Sequence, residues 1–230
     1  MLPDIILLDG PVGCGKGTQA NLLSQKYGYY QFGFGTELRD FVSTYVALPD
    51  HPNFAKAITI ESVLNRGENV SPEDLFFVAG HKIENLIAES KRIVIDSAKN
   101  VEAFEWLAKT SLKHKLNGLL IQMHLTLDVS LERLSHRFYA PNLKDIPFNS
   151  YNDALKHCQI GQTPIRRGDD QNQDRIYRQY ELYETNRIKI QDEMIKVGKF
   201  EFVEISAVDN IETIFDKIAI YLEFSNQVIV

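Results

Sequence analysis

Gly10-Pro11-Val12-Gly13-Cys14-Gly15-Lys16-Gly17-Thr18-Gln19 is the stretch on which the reading of this chain turns. It follows the apolar run Ile5-Ile6-Leu7-Leu8, which reads as a buried parallel strand. It precedes Ala20-Asn21-Leu22-Leu23, where a helical pattern begins. Strand, glycine-rich turn and helix, in that order, are the setting of a phosphate-binding loop. Glycines let the backbone approach phosphate and turn its N–H groups inward. The helix N-terminus adds a dipole that favours anions by about 0.3–1 kcal/mol per exposed charge. Lys16 is placed to reach the outer phosphates. The usual pattern has Ser or Thr after the lysine; here Gly17 stands there and Thr18 follows.

The 230 residues are 44% hydrophobic and 24% charged, a globular composition sufficient for one compact domain with insertions. The formal net charge is -6, so a nucleic-acid partner is not expected. The two cysteines are Cys14, inside the loop, and Cys158, which fits a reducing compartment better than a structural disulfide. Asp4 and Asp9 flank the only early apolar run, and no run approaches the roughly 18 apolar residues of a membrane span. The expectation is a cytoplasmic enzyme with no membrane partner.

Apolar runs alternating with helical patterns predict an α/β protein with a parallel sheet. The first helix ends near Tyr27 with Gly28 behind it, and Tyr29 to Phe32 reads as a strand. Thr36 is a candidate cap for the next helix. Helical periodicity resumes from Phe54 to Asn65, and Ser71-Pro72-Glu73-Asp74 opens a helix running to about Glu89. Strands are predicted at Arg92–Asp96, Leu119–Leu125 and Phe200–Ile205, and helices at Val101–Lys109, Ser130–Arg137, Asp170–Val197 and Asn210–Glu223. Residues 138–165 carry Pro141, Pro147, Gly161 and Pro164 without periodicity and read as an inserted lobe.

Two sets of residues point to chemistry. Asp96 ends a buried strand beside the loop, where a carboxylate can hold a magnesium ion through its waters; capping the next turn is the plainer alternative. Arg133 and Arg137 share a helix face, Arg166 and Arg167 leave the inserted lobe, and Arg175 and Arg178 follow on the long helix. Any one of them reads equally well as a solvated side chain, with Arg166 or Arg175 paired to Asp169, Asp170 or Asp174. Together, in an acidic chain, they suggest a polyanion site, because the guanidinium fork donates two parallel hydrogen bonds to phosphate.

Gly-Lys-Gly-Thr-Gln at 15–19 resembles the phosphate loop of adenylate kinases and related nucleoside monophosphate kinases, and the resemblance extends over nearly the whole chain. Leu131-Glu132-Arg133-Leu134-Ser135-His136-Arg137 is similar to the family helix that carries two nucleotide-contacting arginines, and Arg167-Gly168-Asp169-Asp170-Gln171 to its Arg-x-Asp-Asp stretch at the lid exit. The resemblance implies a three-layer α/β/α P-loop kinase fold with a parallel sheet, a small helical acceptor-binding lobe and a lid. The core would be 1–33, 89–137 and 166–230, the lobe about 34–88 and the lid about 138–165. It implies ATP binding by Gly13, Cys14, Gly15, Lys16, Gly17, Thr18, Arg133 and Arg137, with Arg133 near the base. Lys16, Arg137, Arg167 and Arg178 would be catalytic, clamping phosphates, with Mg2+ held through water by Asp96. Leu38-Arg39 resembles the family's Leu-Arg, making Arg39 the ligand of the acceptor phosphate. Gly67-Glu68-Asn69-Val70 resembles the turn whose backbone reads the acceptor base.

The acceptor side departs from the family pattern. Phe34 replaces a small hydroxyl residue; Asp96-Ser97-Ala98-Lys99-Asn100 replaces Asp-Gly-Phe-Pro-Arg; Phe104 aligns with a glutamine that meets the base. Phe34, Lys99, Asn100 and Phe104 therefore join Arg39, Glu68 and Val70 as candidate acceptor-site residues. AMP is the default acceptor by resemblance, and these departures leave its identity open. In the lid only the adjacent His157 and Cys158 offer zinc ligands, so no zinc is expected. No general base is needed, because a phosphate acceptor with a second pKa of about 6 is already its own nucleophile. The expected activity is transfer of the γ-phosphoryl group of Mg-ATP to a nucleoside monophosphate by a monomer. A kinase of another small phosphorylated acceptor and a non-catalytic ATP-binding regulator are the alternatives.

Overall fold

The computed structural model describes residues 1–66, 68, 70–96, 101–143, 147–197 and 200–224. The chain opens with β1 (Ile5–Asp9), α1 (Lys16–Tyr27) and β2 (Tyr30–Phe32), then three helices, α2 (Phe34–Tyr45), α3 (Phe54–Asn65) and α4 (Pro72–Ala88). It continues through β3 (Ile93–Ile95), α5 (Val101–Lys113), β4 (Gly118–His124) and α6 (Leu127–Ser135). The inserted segment contains β5 (Phe138–Tyr139), β6 (Pro147–Phe148) and α7 (Tyr151–Leu155). Then come α8 (Gly168–Gln171), α9 (Gln173–Lys196), β7 (Phe200–Ser206) and α10 (Ile211–Phe224).

Five strands form one parallel sheet in the order β2-β3-β1-β4-β7. Strands buried on both faces read as continuous apolar runs, which is why Ile5-Ile6-Leu7-Leu8 has no polar alternation. Ile5, Leu7, Ile93, Ile95 and Leu120 face a core shared with α4, α5 and α9; Ile6, Leu8, Val94, Leu119 and Ile121 face a second core with α1 and α10. The crossover after β1 passes on one face of the sheet and the crossover after β3 on the other. The strand order therefore reverses at β1, and a crevice opens at the carboxyl ends of β1, β3 and β4.

Several boundaries differ from the sequence expectation. Thr36 does not cap α2; the helix starts at Phe34 with Gly33 before it, because Phe34 and Leu38, one turn apart, are both drawn into the core. The long helix expected from Asp170 is divided: α8 ends and Asn172, in extended geometry, caps α9 by accepting from the Arg175 N–H (3.0 Å). Ser71 caps α4 as expected, accepting from Asp74 N–H at 3.2 Å. The inserted segment is more ordered than its composition suggests. β5 pairs antiparallel with β6, and Tyr139 and Ile165 exchange both backbone hydrogen bonds (2.8 and 2.9 Å), tying the two ends of the insertion together. No helix among the described residues is long and apolar enough to cross a membrane.

Candidate active site

A cleft of about 320 Å³ lies over the carboxyl ends of β1 and β3. Its floor is the loop between β1 and α1. Gly10 is required there by crowding: a Cβ would sit 2.6 Å from the Met123 carbonyl oxygen and 2.7 Å from Cys14 Sγ. Gly15 is required by conformation, with φ +97° at the entry to α1. It leaves the first N–H groups of α1 without a side-chain cap, and the first turn of α1 carries no acid, so this helix end is open to an anion. The helix N-terminus meets Lys16, whose Nζ donates to the Gly10 and Pro11 carbonyls at 2.6 and 2.9 Å and lies 3.5 Å from Cys14 Sγ. Cys14 itself is buried beneath the loop, and neither cysteine forms a disulfide.

Gly13, Gly15, Lys16, Gly17, Thr18, Arg39, Asp96, Arg137 and Arg167 all line this one cleft. Asp96 follows β3 and accepts from Gln31 Nε2 on β2 at 2.8 Å; it also lies close to Gly17. Its carboxylate is a hard oxygen donor next to the phosphate loop, the kind of group that fits a hydrated magnesium ion. Arg39 stands on α2 and donates to Thr36 Oγ1 at 3.2 Å. Arg137 is gripped in a two-pronged ion pair by Asp170, a residue only 4% exposed; its Nε donates to Oδ2 at 2.8 Å and its Nη2 to Oδ1. The sequence reading had offered Asp170 to Arg166 or Arg175 instead.

Tyr139, on β5, is a site residue that sequence reasoning missed. Its buried ring lies under both guanidinium groups, 5.6 Å from Arg137 and 4.2 Å from Arg167. The one available signal was an aromatic residue two places after Arg137. Gln31 and Thr36 were missed as cleft residues as well. So was Asp9, which ends β1 on the cleft floor; burial raises its pKa against the opposing pull of Lys16.

Other expected site residues stand elsewhere. Phe104 is not on the cleft wall: it is fully buried in the core on the inner face of α5. Phe34 packs edge-on against Phe32 at 5.3 Å in the same core, and Val70 is buried there too. Phe34 and Phe104 are the apolar side of their helices, so their side chains turn into the core and not toward an acceptor; the buried Val70 side chain leaves the backbone of its turn, the part expected to meet a base, untouched by this. Glu68 is exposed and paired with Arg66 at 2.8 Å, away from the cleft. Arg178 is exposed on α9, which presents Gln179, Leu182, Tyr183, Asn186 and Ile190 to the cleft. Arg133 donates to the carbonyls of Val208 and Asp209 at 3.0 and 3.2 Å, at the turn between β7 and α10. Lys99 and Asn100 lie outside the described residues. His157, exposed, stacks on Phe148 at 4.7 Å.

No family model matches the chain. The adenylate kinase of Pelagibacter ubique (strain HTCC1062) is 25% identical over 218 residues, which is 93% of this chain and 96% of that protein. The adenylate kinase of Petrotoga mobilis (strain DSM 10674 / SJ95) is 27% identical over 219 residues, 91% of this chain and 93% of its own. The adenylate kinase of Prochlorococcus marinus (strain MIT 9301) is 31% identical over 143 residues, 61% of this chain and 70% of its own.

Proposed function

The chain belongs to the adenylate kinase family, and from that premise we propose that it moves the γ-phosphoryl group of Mg-ATP onto a nucleoside monophosphate, with AMP the default acceptor. The observation that carries the reading is the convergence of Lys16, Arg39, Arg137, Arg167 and Asp96 on one cleft. Phosphoryl transfer asks a protein to align two phosphorylated molecules, neutralise their repulsion and exclude water. The phosphate loop takes the donor, and Lys16 moves from the Gly10 and Pro11 carbonyls to its outer phosphates. Arg39 takes the acceptor phosphate from the α2 side. Arg137 and Arg167, fixed on Tyr139, face the charge that spreads over the transferring group. Asp96, oriented by Gln31, is the residue that would hold magnesium through water; when bound, the ion neutralises donor phosphate oxygens. In this reading α2 to α4 are the acceptor lobe, residues 138–165 the lid, and the protein a cytoplasmic monomer with no nucleic-acid partner.

The test is ADP formation from Mg-ATP with AMP, CMP, UMP, GMP, dTMP and dAMP. One strongly preferred acceptor is the expected result. Silence across the panel with ATP binding intact would sink the nucleotide acceptor. A second reading, transfer to a different small phosphorylated acceptor, draws support from the core positions of Phe34 and Phe104. Phe104, which aligns with the family glutamine that meets the base, is turned into the core. ATP consumption that depends on a non-nucleotide phosphate ester would favour that reading, and ATP binding without any turnover would favour a regulator.

A further inference from the structure

The cleft floor holds an acid that phosphoryl transfer does not call for. Asp9 is 4% exposed and lines the cleft with Lys16 and Tyr183. Gln122 Nε2, from the neighbouring β4, donates to its Oδ2 at 3.1 Å and to the Arg187 carbonyl of α9 at 3.0 Å. The amide's other end, Oε1, is buried with no hydrogen bond. This buried polar layer under α9 is therefore short of a donor, and a carboxylic acid brings one where an ionised carboxylate does not. The titratable and charged groups that act on Asp9 are Lys16 of α1, His124 of β4 and Tyr183 of α9. Asp96 after β3, Arg39 of α2, and Arg137, Arg167 and Asp170 line the same cleft; Cys14 and Arg187 lie one contact further on, beside Tyr183, and Glu204 beside Arg187. Tyr183 and His124 are engaged with each other (Oη to Nδ1, 3.2 Å), and His124 Nε2 faces Glu204 Oε1 at 3.4 Å. Lys16 is the strongest charge favouring the ionised acid, and burial opposes it.

A polyphosphate on the loop shifts this balance twice. Even with its magnesium ion, which offsets two of its charges, it brings net negative charge into the cleft that Asp9 lines. It also draws Lys16 away toward phosphate oxygens, off the carbonyls of Gly10 and Pro11, next in sequence to Asp9. Both changes disfavour the carboxylate. We propose that Asp9 is a positioning residue of the phosphate site that takes up a proton from solvent when a polyphosphate binds, so that the floor of the cleft meets the bound phosphates as a neutral carboxylic acid. The inference rests on the phosphotransfer reading only in taking the loop as a polyphosphate site.

Calorimetric titration with Mg-ATP in buffers of different ionisation enthalpy, repeated from about pH 5.5 to about pH 8.5, counts the protons taken up. The wild type is expected to take up more protons than Asp9→Asn somewhere in that range, approaching one per nucleotide. Its affinity should fall with rising pH more steeply than the variant's, by up to about tenfold per pH unit. The nucleotide's own γ-phosphate titrates equally in both and cancels. Because the variant is open to misfolding, the infrared difference spectrum of the wild type on binding ATP gives a second readout: the carbonyl stretch of a protonated carboxylic acid should appear. Equal uptake by both proteins with ATP bound, or no acid band in the wild type, overturns the proposal and leaves phosphotransfer standing. Failure of ATP to bind the wild type removes the polyphosphate site and this inference together.

Discussion

The loop wall of the cleft comes from consecutive residues, Gly10 to Thr18, whereas the facing wall is gathered from Gln31, Thr36, Arg39, Arg137, Tyr139 and Arg167. The first wall is largely backbone. Its N–H groups and glycine conformations follow from local sequence, so it survives change elsewhere in the chain. The second wall is made of side chains whose positions depend on how α2, β5 and α8 pack. The donor end of such a site is thus open to reading from sequence, while the acceptor end depends on which way each residue turns out to face.

Four experiments would break or sharpen that contrast. The largest effect is expected from Lys16→Ala, which should lower turnover by about 10³–10⁵-fold while leaving the thermal midpoint nearly unchanged. Steady-state rates and a melting curve check it, and a retained rate would remove the loop from the chemistry. Phe104→Ala comes next and should act through stability alone, costing about 3–5 kcal/mol in denaturant unfolding. A changed acceptor preference in the surviving folded fraction would return Phe104 to the acceptor site. Arg167→Ala, which strips a guanidinium from the Tyr139 ring, should reduce kcat by about 10²-fold. Arg178→Ala should reduce it less, and should lower kcat more than ATP affinity if it joins the transition state. Comparable losses in the two variants would mean that α9 moves to bring Arg178 into the cleft during turnover.

The smallest effect is a pH dependence of stability. Asp9 has a raised pKa in the folded protein, so the folded state holds that proton more tightly than the unfolded chain. Its favourable contribution is present below the ordinary Asp range of about 3.9 and is lost as pH rises through the raised value. Asp9→Asn should therefore gain stability over the wild type as pH is raised from about 4 to about 8, read as a growing difference in thermal midpoint. A constant difference would mean that Asp9 titrates normally.

How much could be read in advance follows from the same contrast. β1, the loop and α1 are decided by neighbours in sequence, so their order and the placement of Lys16 were legible. The same holds for the apolar runs of β1, β3 and β4, for the alternating pattern of β7, and for the start of α4 at Ser71. Phe34 and Phe104 illustrate the limit. Alignment with a motif fixes where a residue lies along the backbone but not which face it presents, and an apolar side chain beside an open core turns inward. β5 and β6 are two residues each, too short to show a period of two. Asp170 gains its role from Arg137, which is 33 residues away in sequence, and nothing local to either residue announces the partnership; Tyr139 stands only two places after Arg137, but that spacing does not say the ring will turn under the guanidinium.

The paired backbone bonds between Tyr139 and Ile165 have a wider consequence. Arg137 and Arg167 each stand two residues outside this clasp, and the insertion leaves and returns through it, with β6 folding back along β5. The approach of the two arginines therefore depends on this clasp and not on the length of chain between them. Closing a longer excursion at such a clasp adds only about 0.6 kcal/mol for each doubling. The insertion sits like a cartridge in a socket: added length in it is expected to leave the two guanidiniums in their seats.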